Sequence, residues 1–316
     1  MNKILFGDCR ETLKTIDVKA RMCVTSPPYY GLRNYGNEDR QIGMEQTPEE
    51  YIEQLVDVFR SVRDVLTDDG TLWLNIGDTY YNYRSDGNYP KQTVSRTKQD
   101  LPDFSPVRGN KLHNLKSKDL IGIPWMLAFA LRADGWWLRQ DIIWNKPNPM
   151  PESVKDRCTK SHEYIFLLSK SKQYFYDNEA IKEPVKQDWG TRDRTNGKYH
   201  NPGSGLAPHS GLSKSYDRKN KRSVWTVTNK PYKGAHFAVF PPDLIEPCIL
   251  AGSEENDIVL DPFMGSGTTA MLAKKHNRKY IGCELNEDYA SLQTDRIDSI
   301  PSQLPAILWK LSLIHI

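Results

Sequence analysis

Two short stretches of the chain carry residue types that chemistry needs. Residues 25 to 30 read Thr-Ser-Pro-Pro-Tyr-Tyr and follow an apolar run, Met22-Cys23-Val24, with the character of a strand. Adjacent prolines have lost both amide donors and fixed their φ angles, so they stop a strand and hold the local carbonyls rigid. The result is a corner that offers a hydroxyl, fixed carbonyl oxygens and two aromatic rings. A turn with no further role is the plainer reading of Ser-Pro-Pro taken alone.

The second stretch is Asp261-Pro-Phe-Met-Gly-Ser-Gly-Thr-Thr. Ile258, Val259 and Leu260 form a buried strand of the parallel type, closed by Asp261. A Gly-Ser-Gly turn feeds a helix that starts near Thr268, and a second strand, Lys-Tyr-Ile-Gly-Cys-Glu, ends at Glu284. Strand, glycine turn, helix, strand and terminal acid make the first half of a nucleotide-binding α/β unit, in which the glycines admit a ligand to the backbone and the acid accepts from ribose hydroxyls. No lysine follows the glycines, which disfavours a triphosphate-gripping loop. Asp261 would repel a pyrophosphate but suit a cationic ligand such as S-adenosylmethionine, which has a sulfonium, an ammonium and no phosphate. A dinucleotide-binding turn is the alternative.

The elements that must position these stretches alternate between strands and helices. Lys3 to Asp8 reads as a strand, followed by a short helix, and the 22–25 strand leads into the proline corner. The clearest helix starts at Thr47, which can cap it with Glu50 in a capping box and Pro48 in the first turn; Gly70 is expected to follow its end. Ile52, Leu55, Phe59, Val62 and Leu66 give that helix one apolar face. Gly-Thr-Leu-Trp-Leu-Asn-Ile-Gly-Asp then returns as a strand. Residues 82–112 are polar and nearly free of aliphatic side chains, a composition expected of a mobile loop. A buried helix around Asp119–Gly135, a strand over Trp136–Lys146 and a hairpin of His162–Lys170 with Gln173–Asp177 follow. The pattern implies a partly parallel α/β sheet.

Between Lys182 and Lys233 the chain carries twelve basic residues against four acidic ones, although its total formal charge is only +3. Trp189, Tyr199, His200, His209, Tyr216 and Trp225 are interleaved with them. A solvated loop would account for the charge, but positive charge mixed with stacking rings and amide donors fits a nucleic-acid surface better. Five well-separated cysteines without a CxxC pair fit reduced thiols, not zinc or disulfides. The chain shows no signal-peptide pattern or run of membrane-spanning length, so a cytoplasmic protein is expected.

Thr-Ser-Pro-Pro-Tyr-Tyr and Asp-Pro-Phe-Met-Gly-Ser-Gly-Thr-Thr, in that order with the basic segment between them, resemble the catalytic and cofactor signatures of the β-class DNA amino-methyltransferases, over about Lys3 to Arg296. The resemblance implies a Rossmann-like, circularly permuted methyltransferase fold with an inserted DNA-recognition region: a catalytic half at 1–181, a recognition region at 182–233, a cofactor half at 234–298 and a tail at 299–316. It implies methyl transfer from S-adenosyl-L-methionine to the exocyclic amine of a flipped base. An exocyclic amine is a poor nucleophile until two acceptors draw on its hydrogens; the Ser26 hydroxyl and the Pro27 carbonyl would do so, Pro28 would stiffen the corner and Tyr29 would stack on the base, with Tyr30 as the alternate.

By the same resemblance the cofactor site comprises Asp8 at the adenine, Glu284 at the ribose, Thr25, Asp261, Pro262, Phe263, Gly265, Ser266, Gly267 and Thr268, with His236 and Phe240 near the methionine portion. An ordinary packed histidine is an equal reading of His236. Arg192, Arg194, Lys198, Arg218, Lys219, Lys221 and Arg222 would bind double-stranded DNA. Ser-Pro-Pro favours cytosine N4 over adenine N6. Ring-carbon methylation would need a cysteine nucleophile after proline, and Pro247-Cys248 reads instead as part of a buried helix. An RNA or protein methyltransferase and a non-catalytic DNA-binding module are the remaining alternatives. A homodimer is expected, and a companion restriction endonuclease is compatible with the family.

Overall fold

The computed structural model describes residues 2–31, 41–81, 114–185, 217–229 and 240–300. The polar stretch at 82–112 and the tail beyond residue 300 lie outside them. The described strands are β1 (Lys3–Phe6), β2 (Ala20–Thr25), β3 (Leu66–Ile76), β4 (Trp137–Asn145), β5 (His162–Ser169), β6 (Glu183–Pro184), β7 (Arg218–Lys219), β8 (Val224–Thr226), β9 (Ile258–Asp261) and β10 (Lys279–Glu284). The helices are α1 (Cys9–Thr12), α2 (Pro48–Val65), α3 (Ile123–Ala133), α4 (Pro242–Gly252), α5 (Thr268–Lys275) and α6 (Ala290–Asp298). None is long and apolar enough to cross a membrane.

Eight strands form one sheet in the order β1-β10-β9-β2-β3-β5-β4-β8. The first five are mutually parallel, β5 is antiparallel to both β3 and β4, and β8 runs parallel to β4. The two ends of the chain meet in its middle: Met22 pairs with Val259 and Cys23 with Leu260, while Leu5 pairs with Cys283. This is the permuted order expected from the sequence, and it sets Asp8, Ser26, Asp261 and Glu284 at the carboxyl ends of neighbouring parallel strands, where ligands bind in such sheets.

Alternation along β3 builds a core on each face of the sheet. Leu72, Leu74 and Ile76 pack with Leu55, Phe59 and Val62 of α2 and Leu127 and Leu131 of α3. Trp73 packs on the other face with Leu244 and Ile249 of α4 and Ala270 and Ala273 of α5. The capping box forms as read: Glu50 N donates to Thr47 Oγ1 at 3.1 Å, and Thr47 N to Glu50 Oε2 at 3.2 Å.

Two expected boundaries differ. The helix ends at Val65 and the chain turns directly into β3 at Leu66, so Gly70 lies inside the strand. It is needed there because a Cβ would fall 2.9 Å from both Leu66 Cβ and Thr67 O. Gln173–Asp177 forms no strand: β5 already pairs with β3 and β4 on its two edges, and the segment instead stacks Tyr176 on Trp73 at 6.1 Å.

Candidate active site

The proline corner is held from three directions. Ser26, half-buried, begins it directly after β2. The Pro28 carbonyl accepts from Tyr51 Oη of α2 at 2.7 Å, and the Tyr51 ring lies 5.5 Å from that of Tyr30. Tyr30 is itself buried and donates to Gln46 O at 3.2 Å, which makes it a packing residue and leaves Tyr29 as the ring at the corner. Tyr29 Oη donates to Glu163 Oε2 at 2.7 Å, and its ring lies over Gly77, where a Cβ would come within 2.7 Å of it. Among the described residues no donor is bonded to the Pro27 carbonyl.

Beside the corner stands the glycine turn, and Asp261 joins the two. Its Oδ1 accepts from Thr25 Oγ1 at 2.6 Å and from Phe263 N at 3.0 Å, and its Oδ2 accepts from Thr269 Oγ1 at 2.6 Å. The carboxyl is 1% exposed, and burial raises its pKa to about 6 against the pull of these three bonds. Asp261 thereby fastens the turn to the end of β2. Gly265 and Gly267 both have positive φ, +53° and +82°, so the turn needs glycine at each.

Around the turn, Gly265 N donates to Glu284 Oε2 at 2.7 Å and Asn286 N to Oε1 at 2.9 Å. Burial lifts the Glu284 carboxyl to about 7, while those two backbone bonds oppose the rise. From α6, Gln293 Nε2 donates to Gly265 O at 2.7 Å, and Arg296 Nη1 to Ser266 Oγ at 2.6 Å. Pro262, Ser266 and Thr268 are buried within this packing, and Phe263 is half-buried against the α2 side of the core. Asp8 caps α1 through Arg10 N at 2.9 Å and is forked by the Arg10 guanidinium, which also reaches Gln54 of α2 at 2.6 Å. Gly7 N donates to Glu284 O at 2.8 Å and sets Asp8 next to the end of β10. Phe240 packs on the α4 and α5 side of the core, and His236 lies outside the described residues.

The DNA methylase family model matches residues 20–295. The chain belongs to the DNA methylase family. The methylase is 49% identical over 296 residues to the Type II methyltransferase M.SmaI of Serratia marcescens, covering 93% of this chain and 90% of that one. It is 48% identical over 292 residues to M.XycI of Xanthomonas campestris pv. cyanopsidis, covering 92% and 86%. Among solved structures its fold matches the cytosine-N4-specific PvuII DNA methyltransferase with a TM-score of 0.61 at 17% identity, over 96% and 88% of the two chains. A DNA modification methylase of Thermus thermophilus, complexed with S-adenosyl-L-methionine, matches with a TM-score of 0.58 at 21% identity, over 96% of each.

The methylase gathers the described part of its basic segment around Glu183. Arg218 and Lys219 form β7 against β6, Lys219 Nζ lies 3.6 Å and Arg222 Nε 2.6 Å from Glu183 Oε1, and Arg218 Nη2 donates to Lys182 O at 2.8 Å. Lys221 Nζ sits 4.9 Å from the centre of the Trp225 ring. Trp225 itself is 6% exposed and packs in the core beneath β8, so it is not a ring for stacking on bases. Arg192, Arg194 and Lys198 lie outside the described residues. Cys248 is buried in α4, where burial pushes its thiol well above the usual range, the reverse of what a nucleophile requires.

Tyr51, Glu163, Thr269, Gln293 and Arg296 complete the site without having been singled out in the sequence. Thr269 alone carried a signal, as the second threonine of the glycine motif. The others act from distant elements and have no local pattern of their own.

Proposed function

We propose that this DNA methylase transfers the methyl group of S-adenosyl-L-methionine to the exocyclic N4 amine of a cytosine flipped out of duplex DNA. The observation that carries the reading is the Thr25–Asp261 bond of 2.6 Å. It locks the amine-gripping corner to the glycine turn, so an amine at Ser26 and a ligand at Gly265 occupy one crevice. The residues fit that ligand: the turn takes a left-handed path at Gly265 and Gly267, and Glu284 and Asp8 end adjacent strands as acceptors for ribose hydroxyls and the adenine amine. When bound, the cofactor supplies a sulfonium methyl open to in-line attack.

The protein's part is to prepare the amine. The Ser26 hydroxyl oxygen and the Pro27 carbonyl accept its two hydrogens and draw the nitrogen towards a pyramidal shape, which frees its lone pair. Tyr51 fixes the corner through the Pro28 carbonyl, so the two acceptors are held in place before the base arrives. Tyr29 stacks on the extruded base. Serine in the corner and the cytosine-N4-specific PvuII fold match both support cytosine over adenine. The Type II names of the relatives support a companion endonuclease. A homodimer working in the cytoplasm completes the reading.

Methyl-labelled cofactor incubated with duplex DNA, RNA and the protein itself tests the substrate class. Label that DNase releases is the expected result, and label confined to RNA or protein would refute the proposal.

Glu284 gives the cofactor site a pH dependence. Folding lifts its carboxyl to about 7, so between the ordinary carboxylate range and that value the native state holds a proton the unfolded chain has released. Its contribution to stability therefore improves as pH falls from about 7. Cofactor binding has the opposite sign, because ribose hydroxyls need the carboxylate as acceptor. Affinity should be full above about pH 7 and fall by up to about tenfold per pH unit below it. Calorimetric titration across this range checks the slope, and Glu284→Gln should flatten it. An unmodified protein with pH-independent affinity would contradict the assignment.

The cations around Glu183 should act through phosphates. Lys221→Ala and Arg222→Ala are each expected to lower the slope of log affinity against log salt by about 1, with no change in site preference. Unchanged slopes in both would remove this face from the DNA interface.

A further inference from the structure

The Tyr29 phenol is enclosed by groups from three strands of the sheet's antiparallel side. Tyr29 Oη donates to Glu163 Oε2 at 2.7 Å. The other oxygen of Glu163 is ion-paired with Lys146, immediately beyond β4, whose Nζ also lies 4.1 Å from the centre of the Trp144 ring. Asn75 of β3 donates to Tyr164 O at 3.0 Å and reaches Glu163 Oε2 at 3.4 Å. Gly77, just past β3, has no side chain in the space filled by the ring and by Glu163: a Cβ there would meet Tyr29 Cε2 at 2.7 Å and Glu163 Cδ at 3.2 Å.

Such a cluster is a poor way to gain stability. Lys146 and Glu163 are 16% and 15% exposed, and withdrawing two charges from water costs about as much as their attraction returns. What the arrangement does give is direction. A tyrosine ring has two free torsions, and a bond at its far end, with a backbone groove beneath it, removes both. Burial and the neighbouring Glu163 carboxylate hold the phenol well above its ordinary pKa, against the pull of a hydrogen bond from the Ser26 side chain, so it remains a donor to Glu163.

We propose that Glu163, steadied by Lys146 and Asn75, is a positioning residue that acts through the Tyr29 hydroxyl to fix the ring on which the flipped base stacks. The inference rests on the reading of Tyr29 as the stacking ring. Because Tyr29 follows Ser26-Pro27-Pro28 directly, the same bond also restrains the backbone that carries the two amine acceptors.

A double-mutant cycle on methyl transfer to unmethylated phage DNA, at saturating cofactor, tests this. Glu163→Gln is expected to lower kcat by about tenfold with the KM for S-adenosyl-L-methionine unchanged, and Tyr29→Phe, which keeps the ring but loses the hydroxyl, by a similar factor. The double variant should be no slower than Tyr29→Phe alone, since without the hydroxyl residue 163 has nothing to act through. A purely structural role for Glu163 would give losses that multiply, and that result overturns the proposal, as does an unchanged rate in Glu163→Gln. If Glu163→Gln does not fold, Lys146→Gln, alone and combined with Tyr29→Phe, carries the same cycle with the same criterion. Full activity of Tyr29→Ala would overturn the stacking reading itself. That failure is distinguishable from failure of the positioning role, in which Tyr29→Ala is inactive while Glu163→Gln keeps its full rate.

Discussion

Ser26→Ala is expected to lower kcat for methyl transfer by roughly 100- to 1000-fold, with folding and cofactor affinity intact. The serine is half-buried at the exit of β2, and its hydroxyl takes no part in either apolar core. In the proposed mechanism its oxygen is one of the two acceptors that grip the amine. Losing a preorganised group aimed at a reacting centre costs about that much in other enzymes that work by fixed hydrogen bonds. Pro27 contributes a backbone carbonyl and cannot be removed by substitution, which makes Ser26 the accessible half of the pair. Single-turnover transfer at saturating cofactor measures the effect, with calorimetric cofactor titration as the control. A rate within a few-fold of the unmodified protein would mean that the amine is gripped elsewhere.

Asp261→Ala should fail differently, by losing stability. The sequence alone assigns Asp261 to the ligand and implies a variant that folds but does not transfer. Instead, removal of the carboxyl leaves the Thr25 and Thr269 hydroxyls and the Phe263 amide without acceptors in the core. Each orphaned buried donor costs about 1–3 kcal/mol, and hydroxyls can find other partners by rotation, so a total near 3–5 kcal/mol is expected. For a chain of this size that lowers Tm by roughly 6–15 °C. Asp261→Asn keeps the shape and the acceptor for Phe263 N, and should lose less than half as much. Differential scanning calorimetry of both variants decides the matter. An alanine variant as stable as the unmodified protein would return Asp261 to the ligand.

What the sequence made legible was local. The capping box at Thr47 and Glu50, the proline corner and the glycine turn are each written within a few residues, and each stands where it was read. Thr25 and Asp261 lie at opposite ends of the chain, and nothing in either motif announces that one bonds the other. Trp225 shows the same limit, since an indole in a basic segment reads as a stacking ring until β8 is seen to pair with β4 and draw it inward. Glu163 lay in a run read correctly as a strand, but its role depends on β5 standing beside β3, where Tyr29 can reach it. Gln173–Asp177 had strand composition, and pairing of β5 on both sides left it no edge to join.

The central claim is that the Ser26-Pro27 corner grips the N4 amine of cytosine. Mass spectrometry of nucleosides digested from DNA that has been methylated by this protein with methyl-labelled S-adenosyl-L-methionine tests it most directly. Labelled N4-methylcytosine, absent when Ser26 is replaced by alanine, is the predicted result. Labelled N6-methyladenine would contradict the choice of base, and label on the cytosine ring carbon would contradict the mechanism.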